Sequence, residues 1–580
     1  MSSDSSRVPR SGAALVALLG LLTACAGDPP VAPRQTDVAC DGVTTAVREL
    51  APLAHVILSG AELNCIALAG GDREYLVVPQ LTGASLPYGG YGFRLGAPDA
   101  LTARQATTGA GEQPAVRTMP SHETGAPIPD AQSLLDARMR AREASDAPVA
   151  RSPGRLPSAN LSLGRTTADT LRRFSVLNTL DAMPAYTAVQ ARLRFAGTRV
   201  LVYVDTLAST ALSEAELQSL GRLYDERLLP AVFTAFGAGS DIDANGRVIF
   251  LLTPTVNAMV SASQCTAGGF VRGFFYNHDL RSTDATSNRG EIFYGFVPDE
   301  SGRWSCAQPK ATVLANLPPT FMHELQHMVS YGEHAVKRGG AAEEVWLNEG
   351  LSHMAEEVGS LVYEARFPAP AGRTTPTSIF PDSAAPFINP NLLYSYRYLF
   401  ASATHSLTGC APGTFCSLSE RGGTWLWLRW IADQRATPDF RAFVETSRTG
   451  RANLEAVTGR STAELLGTFA LAVSTDSIVG VARTTTPAAL RFTSRNLRRI
   501  YRALFEAFGI TGGVGRPFPI EPLALAPNAA VTGTMRPGTF LTYKLTVGAG
   551  VPSALLRLRA IDGTVFPETS GAQISILRLP

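Results

Sequence analysis

Lysine is nearly missing from this sequence: Lys310, Lys337 and Lys544 are the only three in 580 residues. The basic charge rests on scattered arginines, a pattern that points to genomic composition bias. With a net charge of +2 and mixed signs throughout, the chain lacks the basic stripe of a nucleic-acid-binding surface. No two cysteines stand at C-x-x-C spacing, which disfavours a thiolate zinc site. Long hydrophobic runs are missing too. The apolar stretch near the N-terminus, Ala13 to Leu22, is too short to span a bilayer as a mature helix.

That short stretch reads as a targeting signal, because Arg7 and Arg10 precede it and Leu22-Thr23-Ala24-Cys25 closes it. The closing string resembles the bacterial lipobox. It implies a lipoprotein signal peptide over 1–24, a membrane anchor on Cys25 and a Pro- and Ala-rich tether over 25–36. The protein would then sit in the bacterial cell envelope, facing the periplasm or the exterior; ordinary secretion with cleavage nearby is the alternative. Six cysteines remain, an even number for an oxidising compartment. Proximity favours Cys40 with Cys65, Cys265 with Cys306, and Cys410 with Cys416.

The length calls for roughly two to four domains. Residues 37–101 hold apolar runs such as His55 to Leu58 and Tyr75 to Val78 between Gly-rich turns, as in a small β domain. Residues 102–162 turn to Ala, Pro, Ser, Thr and Gly, as in a linker or propeptide-like low-complexity region, with one helical patch near Ala131 to Glu143. A larger region follows over 163–516, in which Ser213 and Glu216 form a capping box at the start of a helix. The tail, 517–580, again reads as β.

The chemistry gathers between Thr320 and Gly359. His323-Glu324-Leu325-Gln326-His327 sets two histidines four apart, one above the other on a helical face, with Glu324 beside them. Phe321, Leu325, Met328 and Val329 form an apolar stripe away from the histidines, and Pro318-Pro319-Thr320 suits a helix start. Two imidazoles and one carboxylate can hold Zn²⁺ while leaving a position for water, whose proton Glu324 can take. The carboxylate is offered by Trp346-Leu347-Asn348-Glu349-Gly350, which opens a second helical run.

Together these segments resemble the gluzincin metallopeptidases, in which an HExxH helix is paired with a later helix carrying an NE motif. HELQH and WLNEGLSHMAEE look most like the hyicolysin-type secreted neutral metallopeptidases. The resemblance implies His323, His327 and Glu349 as metal ligands and Glu324 as the catalytic base. Thermolysin-like members place an Asp four residues after the ligand Glu; here His353 stands there, with Glu356 and Glu357 as substitutes for holding a zinc histidine. The metzincin pattern fails by register, because Ser330 and Glu333 occupy its Gly and His positions.

By resemblance the fold is α+β: a zincin-like catalytic domain of mixed sheet plus active-site helices, flanked by small β domains. The implied function is an exported zinc-dependent endopeptidase acting on protein or peptide substrates, with Zn²⁺ as cofactor. A zinc aminopeptidase is the alternative, since WLNEG occurs there too, although no Gly-x-Met-Glu-Asn string is present to grip a free amino terminus. A catalytically inactive surface-binding homologue is the third reading, against which the intact ligand set speaks.

Three further expectations follow. Asp241-Ile242-Asp243-Ala244-Asn245-Gly246 is the first half of a Ca²⁺ loop, but Leu252 stands where the closing Glu belongs, so a turn before the strand Arg247 to Leu252 is the plainer reading. Glu291 to Val297 is the candidate edge strand for extended substrate. Tyr394, Tyr396, Tyr398 and His405 are candidates for stabilising an oxyanion.

Overall fold

The structure, a computed structural model, describes residues 37–40, 42–83, 89–98, 130–146, 170–280, 285–364, 380, 382–410, 416–435, 440–476, 482 and 484–580. The expected signal peptide, Cys25, the tether and most of the 102–162 stretch lie outside these. Among the described residues no helix is long and apolar enough to cross a membrane.

The fold is α+β. A six-stranded sheet runs in the order Gly273–Phe275, Ile292–Gly295, Val248–Leu252, Val200–Asp205, Tyr186–Ala196, Leu171–Leu177. The strands Val200–Asp205, Val248–Leu252 and Ile292–Gly295 are mutually parallel and wholly buried, which explains why their sequences are continuous apolar runs rather than alternating ones. The outermost strand, Gly273–Phe275, is antiparallel to its neighbour. The expected edge strand is therefore corrected: Ile292–Gly295 is second from the edge, and the edge itself is a three-residue strand whose sequence is too short to show a period.

Against this sheet packs a helix over Lys310–Tyr331, the histidine helix. Phe321 stacks on Tyr224 at 4.4 Å and meets Phe293 edge-on at 5.4 Å, while Leu325, Met328 and Val329 are buried with it. The apolar stripe thus lands where its spacing sends it. The helix begins well before Pro318, however, and both prolines lie inside it. Each lacks an N–H, so the carbonyls of Leu314 and Ala315 lose their ladder partners, a local cost that the buried turns beyond them outweigh.

The glutamate helix, Val345–Glu364, packs on the histidine helix and is covered by the helices Ala385–Phe400 and Leu418–Asp433. Gly350 is what lets Leu418–Asp433 approach, since a Cβ there would stand 2.5 Å from Thr424 Cγ2. Leu454 to Ala472, apolar enough to pass for one helix, is two, Gly450–Thr458 and Thr462–Thr475, with Gly459 at φ 68° ending the first.

The two terminal β regions join. One sheet runs Leu523–Leu525, Tyr543–Val547, Arg73–Leu81, Ala572–Arg578, His55–Ser59, and the other Ala530–Met535, Tyr91–Gly96, Ser553–Ala560, Ile66–Ala69. Both sheets mix strands from the two ends of the chain, and in the second they alternate strictly, around a core of Leu58, Tyr75, Val77, Leu545 and Ile574. Gln573 Nε2 donates to Ala463 O at 2.9 Å, tying this sandwich to the helix Thr462–Thr475. Three disulfides join Cys40 to Cys65, Cys265 to Cys306 and Cys410 to Cys416, the expected pairs.

Candidate metal centre

His323 and His327 lie one helical turn apart with ring centroids 4.8 Å apart. Glu349, on the fifth residue of the glutamate helix, faces both: its Oε2 is 3.5 Å from His323 Nε2 and its Oε1 is 3.8 Å from His327 Nε2. All three side chains are buried, and each offers a ligand atom within 4.8 Å of the others. Ligand atoms on a tetrahedral ion with bonds of about 2 Å stand roughly 3.3 Å apart, close to these spacings. His323 Nε2 and Glu349 Oε1 have no hydrogen-bond partner among the described residues. His327 Nε2 lies 3.2 Å from Ser352 Oγ, and two imidazoles and a carboxylate converging in this way are a donor set that fits zinc.

The other ring nitrogens are engaged. His323 Nδ1 donates to Glu356 Oε1 at 2.8 Å, and His327 Nδ1 donates to Asn348 Oδ1 at 3.1 Å. Each bond fixes the ring so that Nε2 carries the lone pair toward Glu349. His353 Nδ1 lies 3.2 Å from Glu356 Oε1, so a second cluster forms from His323, His353 and Glu356. That cluster reaches His323 through the nitrogen already hydrogen-bonded, which makes it a support for the first. Glu357 points elsewhere, accepting from Trp425 Nε1 and Arg495 Nε.

The electrostatics favour a cation. Burial opposes a charged His323, yet the carboxylates of Glu349 and Glu356 raise it to about 10. Burial would raise Glu349, but Arg421 and the two histidines hold it well below the usual carboxylate range. Glu324 is pushed up to about 8 by burial, with Asp136 adding and His323 and Arg140 opposing. Its Oε2 accepts from the Phe275 N–H at 3.0 Å, so it sits against the free side of the edge strand.

Glu324, His323, His353, Tyr394, Arg421 and Asp136 line one cleft. Of the four oxyanion candidates only Tyr394 reaches it. Tyr396 hydrogen-bonds Arg516, Tyr398 is buried in the core, and His405 is bonded to its own helix end at Ala401. His334 lies in the π-helical continuation Gly332–Lys337, 3.8 Å from Glu343 and apart from this cluster.

Sequence reasoning missed the far side of the cleft. The helical patch in the low-complexity region is the helix Ala131–Ser145, capped by Asp130, and it packs across the edge strand. Gln132 Nε2 donates to Gly273 O at 2.9 Å and its Oε1 accepts from the Arg272 N–H at 2.8 Å. Asp136 Oδ2 accepts from Arg421 Nη1 at 2.9 Å, and the same nitrogen is 2.9 Å from Glu349 Oε2. Nothing in the local sequence signals these partners. Asn348 was visible only as the neighbour of Glu349 in the NE pair.

Over 198 residues the chain is 25% identical to the neutral metalloprotease ShpI of Staphylococcus hyicus. It resembles a metalloprotease. The similarity takes in 34% of this chain and 42% of the length of that curated relative. No protein-family model matches the chain.

Proposed function

We infer that this protein is an exported zinc-dependent endopeptidase of the gluzincin type, with His323, His327 and Glu349 as metal ligands and Glu324 as general base. The observation that carries the reading is the convergence of His323 Nε2, His327 Nε2 and a Glu349 carboxylate, two of them without partners, beside a buried carboxyl. When bound, zinc supplies Lewis acidity that activates a water and polarises a peptide carbonyl. Glu324 takes the proton of the attacking water and passes it to the leaving amine. The free side of Gly273–Phe275 offers backbone groups to an extended substrate. Tyr394, across the cleft beside His353 with ring centroids 6.1 Å apart, is the residue suited to donate to an oxyanion.

The same reading makes Ala131–Ser145 a propeptide-like element. Gln132 fills the edge-strand hydrogen bonds that substrate needs, and Asp136 draws Arg421. Export is supported by the LTAC string and by three disulfides, which suit an oxidising compartment.

The test is digestion of an unstructured protein such as casein by the purified chain lacking residues 1 to 25, with and without a zinc chelator. Chelator-sensitive cleavage at internal bonds is expected. Trimming from the amino terminus alone would indicate an aminopeptidase, and no cleavage even after release of Ala131–Ser145 would indicate an inactive homologue.

A further inference from the structure

Behind the histidine helix, on the side away from the cleft, a turn over Asp241–Gly246 leads into the strand Val248–Leu252. Its neighbour strand enters beside it, with the Ile249 N–H donating to Glu291 O at 2.8 Å. This register brings the Glu291 side chain under the turn. The Asp-x-Asp-x-Asn-Gly run has no closing glutamate of its own, and the adjacent strand delivers one.

We propose that Asp241, Asp243 and Glu291 hold a divalent cation of calcium's size and preference for oxygen. Each offers a carboxylate oxygen within 4.8 Å of the others. Oxygens bonded to calcium at about 2.4 Å stand no more than about 4.8 Å apart, a limit these three meet. Acidic clusters at turns are common, and Glu291 is the independent observation that points to a ligand. It is 4% exposed. Its Oε1 accepts from Ser240 Oγ at 2.8 Å and from the Ile242 N–H at 3.1 Å, but Oε2 has no partner among the described residues.

A buried carboxylate oxygen left bare beside two aspartates is costly unless it is protonated or meets a cation. Burial first, and Asp243 and Asp241 after it, push the Glu291 carboxyl up to about 7. Lys337 lines the same cavity, yet it pairs with Glu333 at 2.7 Å. An all-oxygen donor set, with room in the cavity for water to complete the shell, selects a hard ion over zinc.

The position gives the cation a role. Ser240 and Gly239 press on the histidine helix so closely that a Cβ on Gly332 would stand 2.7 Å from Ser240 N. An ion joining the turn to Glu291 therefore fixes two strands and this loop against the helix that carries His323 and His327. Loss of the ion frees the loop, and stability falls.

The experiment uses the full exported chain with its zinc content measured throughout. After dialysis against a calcium-selective chelator, calcium alone is titrated in by calorimetry and by thermal melting at pH 8. The wild type should take up calcium at this site and melt several degrees higher, whereas Glu291→Gln and Asp243→Asn should lose both effects and keep their zinc. Asp241→Asn, at an exposed position, serves if the buried change does not fold. Equal calcium binding by wild type and variants, no binding by wild type at millimolar calcium, or an equal shift with magnesium would each refute the assignment. Zinc stoichiometry reports separately on the peptidase reading, so the two fail independently.

Discussion

His323 Nδ1 and Glu356 Oε1 are 2.8 Å apart in the buried contact between the histidine and glutamate helices. The bond orients one imidazole and leaves its other nitrogen toward Glu349. Because Glu356 lies two turns beyond Glu349, one helix carries both a proposed ligand and the group that aims another proposed ligand. Glu356→Ala should weaken zinc binding by about 10- to 100-fold, measured by competition with a fluorescent chelator. Unchanged affinity would mean that packing alone holds the ring.

Glu324→Gln keeps the size of the side chain and its contact with the Phe275 N–H but removes the base. Zinc content should stay near that of the wild type while kcat falls by about 10²- to 10⁴-fold. Turnover close to normal would remove Glu324 from the mechanism given above.

Those two residues mark the boundary of what the sequence reveals. His323, Glu324 and His327 are legible because helical period and ligand spacing are local properties, and Glu349 because the NE pair opens its own helix. Glu356 was one of two candidates, and only packing could choose it over Glu357, whose carboxylate is taken by Trp425 and Arg495. Arg421 and Asp136, 285 residues apart, meet only through the tertiary fold. The same holds for the terminal sandwich, where Tyr75 pairs with Arg578 and neither run signals its partner. Gly273–Phe275 was hidden by its brevity.

Gln132 and Asp136 face the cleft from a helix whose Leu135 and Met139 are buried in the core. Gln132→Ala with Asp136→Ala should therefore leave the helix docked while freeing the Gly273 carbonyl and Arg421. Activity of the unprocessed chain should rise several-fold, read as kcat/KM on a quenched peptide, with little change in melting temperature. A fall in activity would instead make this helix a working wall of the cleft.

Asp279 is buried beneath Tyr294 and Asn288, with Arg172 nearby, and burial pushes its carboxyl up to about 7 despite their hydrogen bonds. A folded value above the ordinary 3.8 means stability that is full below about pH 4 and lost as pH rises toward 7, at a cost on the order of 4 kcal/mol. His334, lowered to about 4 by burial, works in the opposite direction between pH 4 and its ordinary 6.5. Comparing Asp279→Asn with wild type isolates the first effect. The variant's melting temperature should fall less between pH 4 and 8, and parallel curves would exclude Asp279 as a source of the pH dependence.

The third ligand is the point on which the metal site turns, because three side chains compete for it by position. His334 is removed by geometry, since the helix continues through Gly332 and carries it to Glu343. His353 is close, with its ring 4.9 Å from that of His323, but it shares Glu356 with His323 Nδ1 and so approaches from the hydrogen-bonded side. Glu349 alone faces the Nε2 atoms of both histidines. Its burial next to Arg421 is a complication, because the guanidinium already balances part of its charge. Arg421 also has Asp136 as a partner, however, so an ion at Glu349 leaves it paired. Zinc per chain should drop steeply in Glu349→Ala, modestly in His353→Ala and not at all in His334→Ala. Full zinc in Glu349→Ala with loss in His353→Ala would move the site to His323, His353 and Glu356.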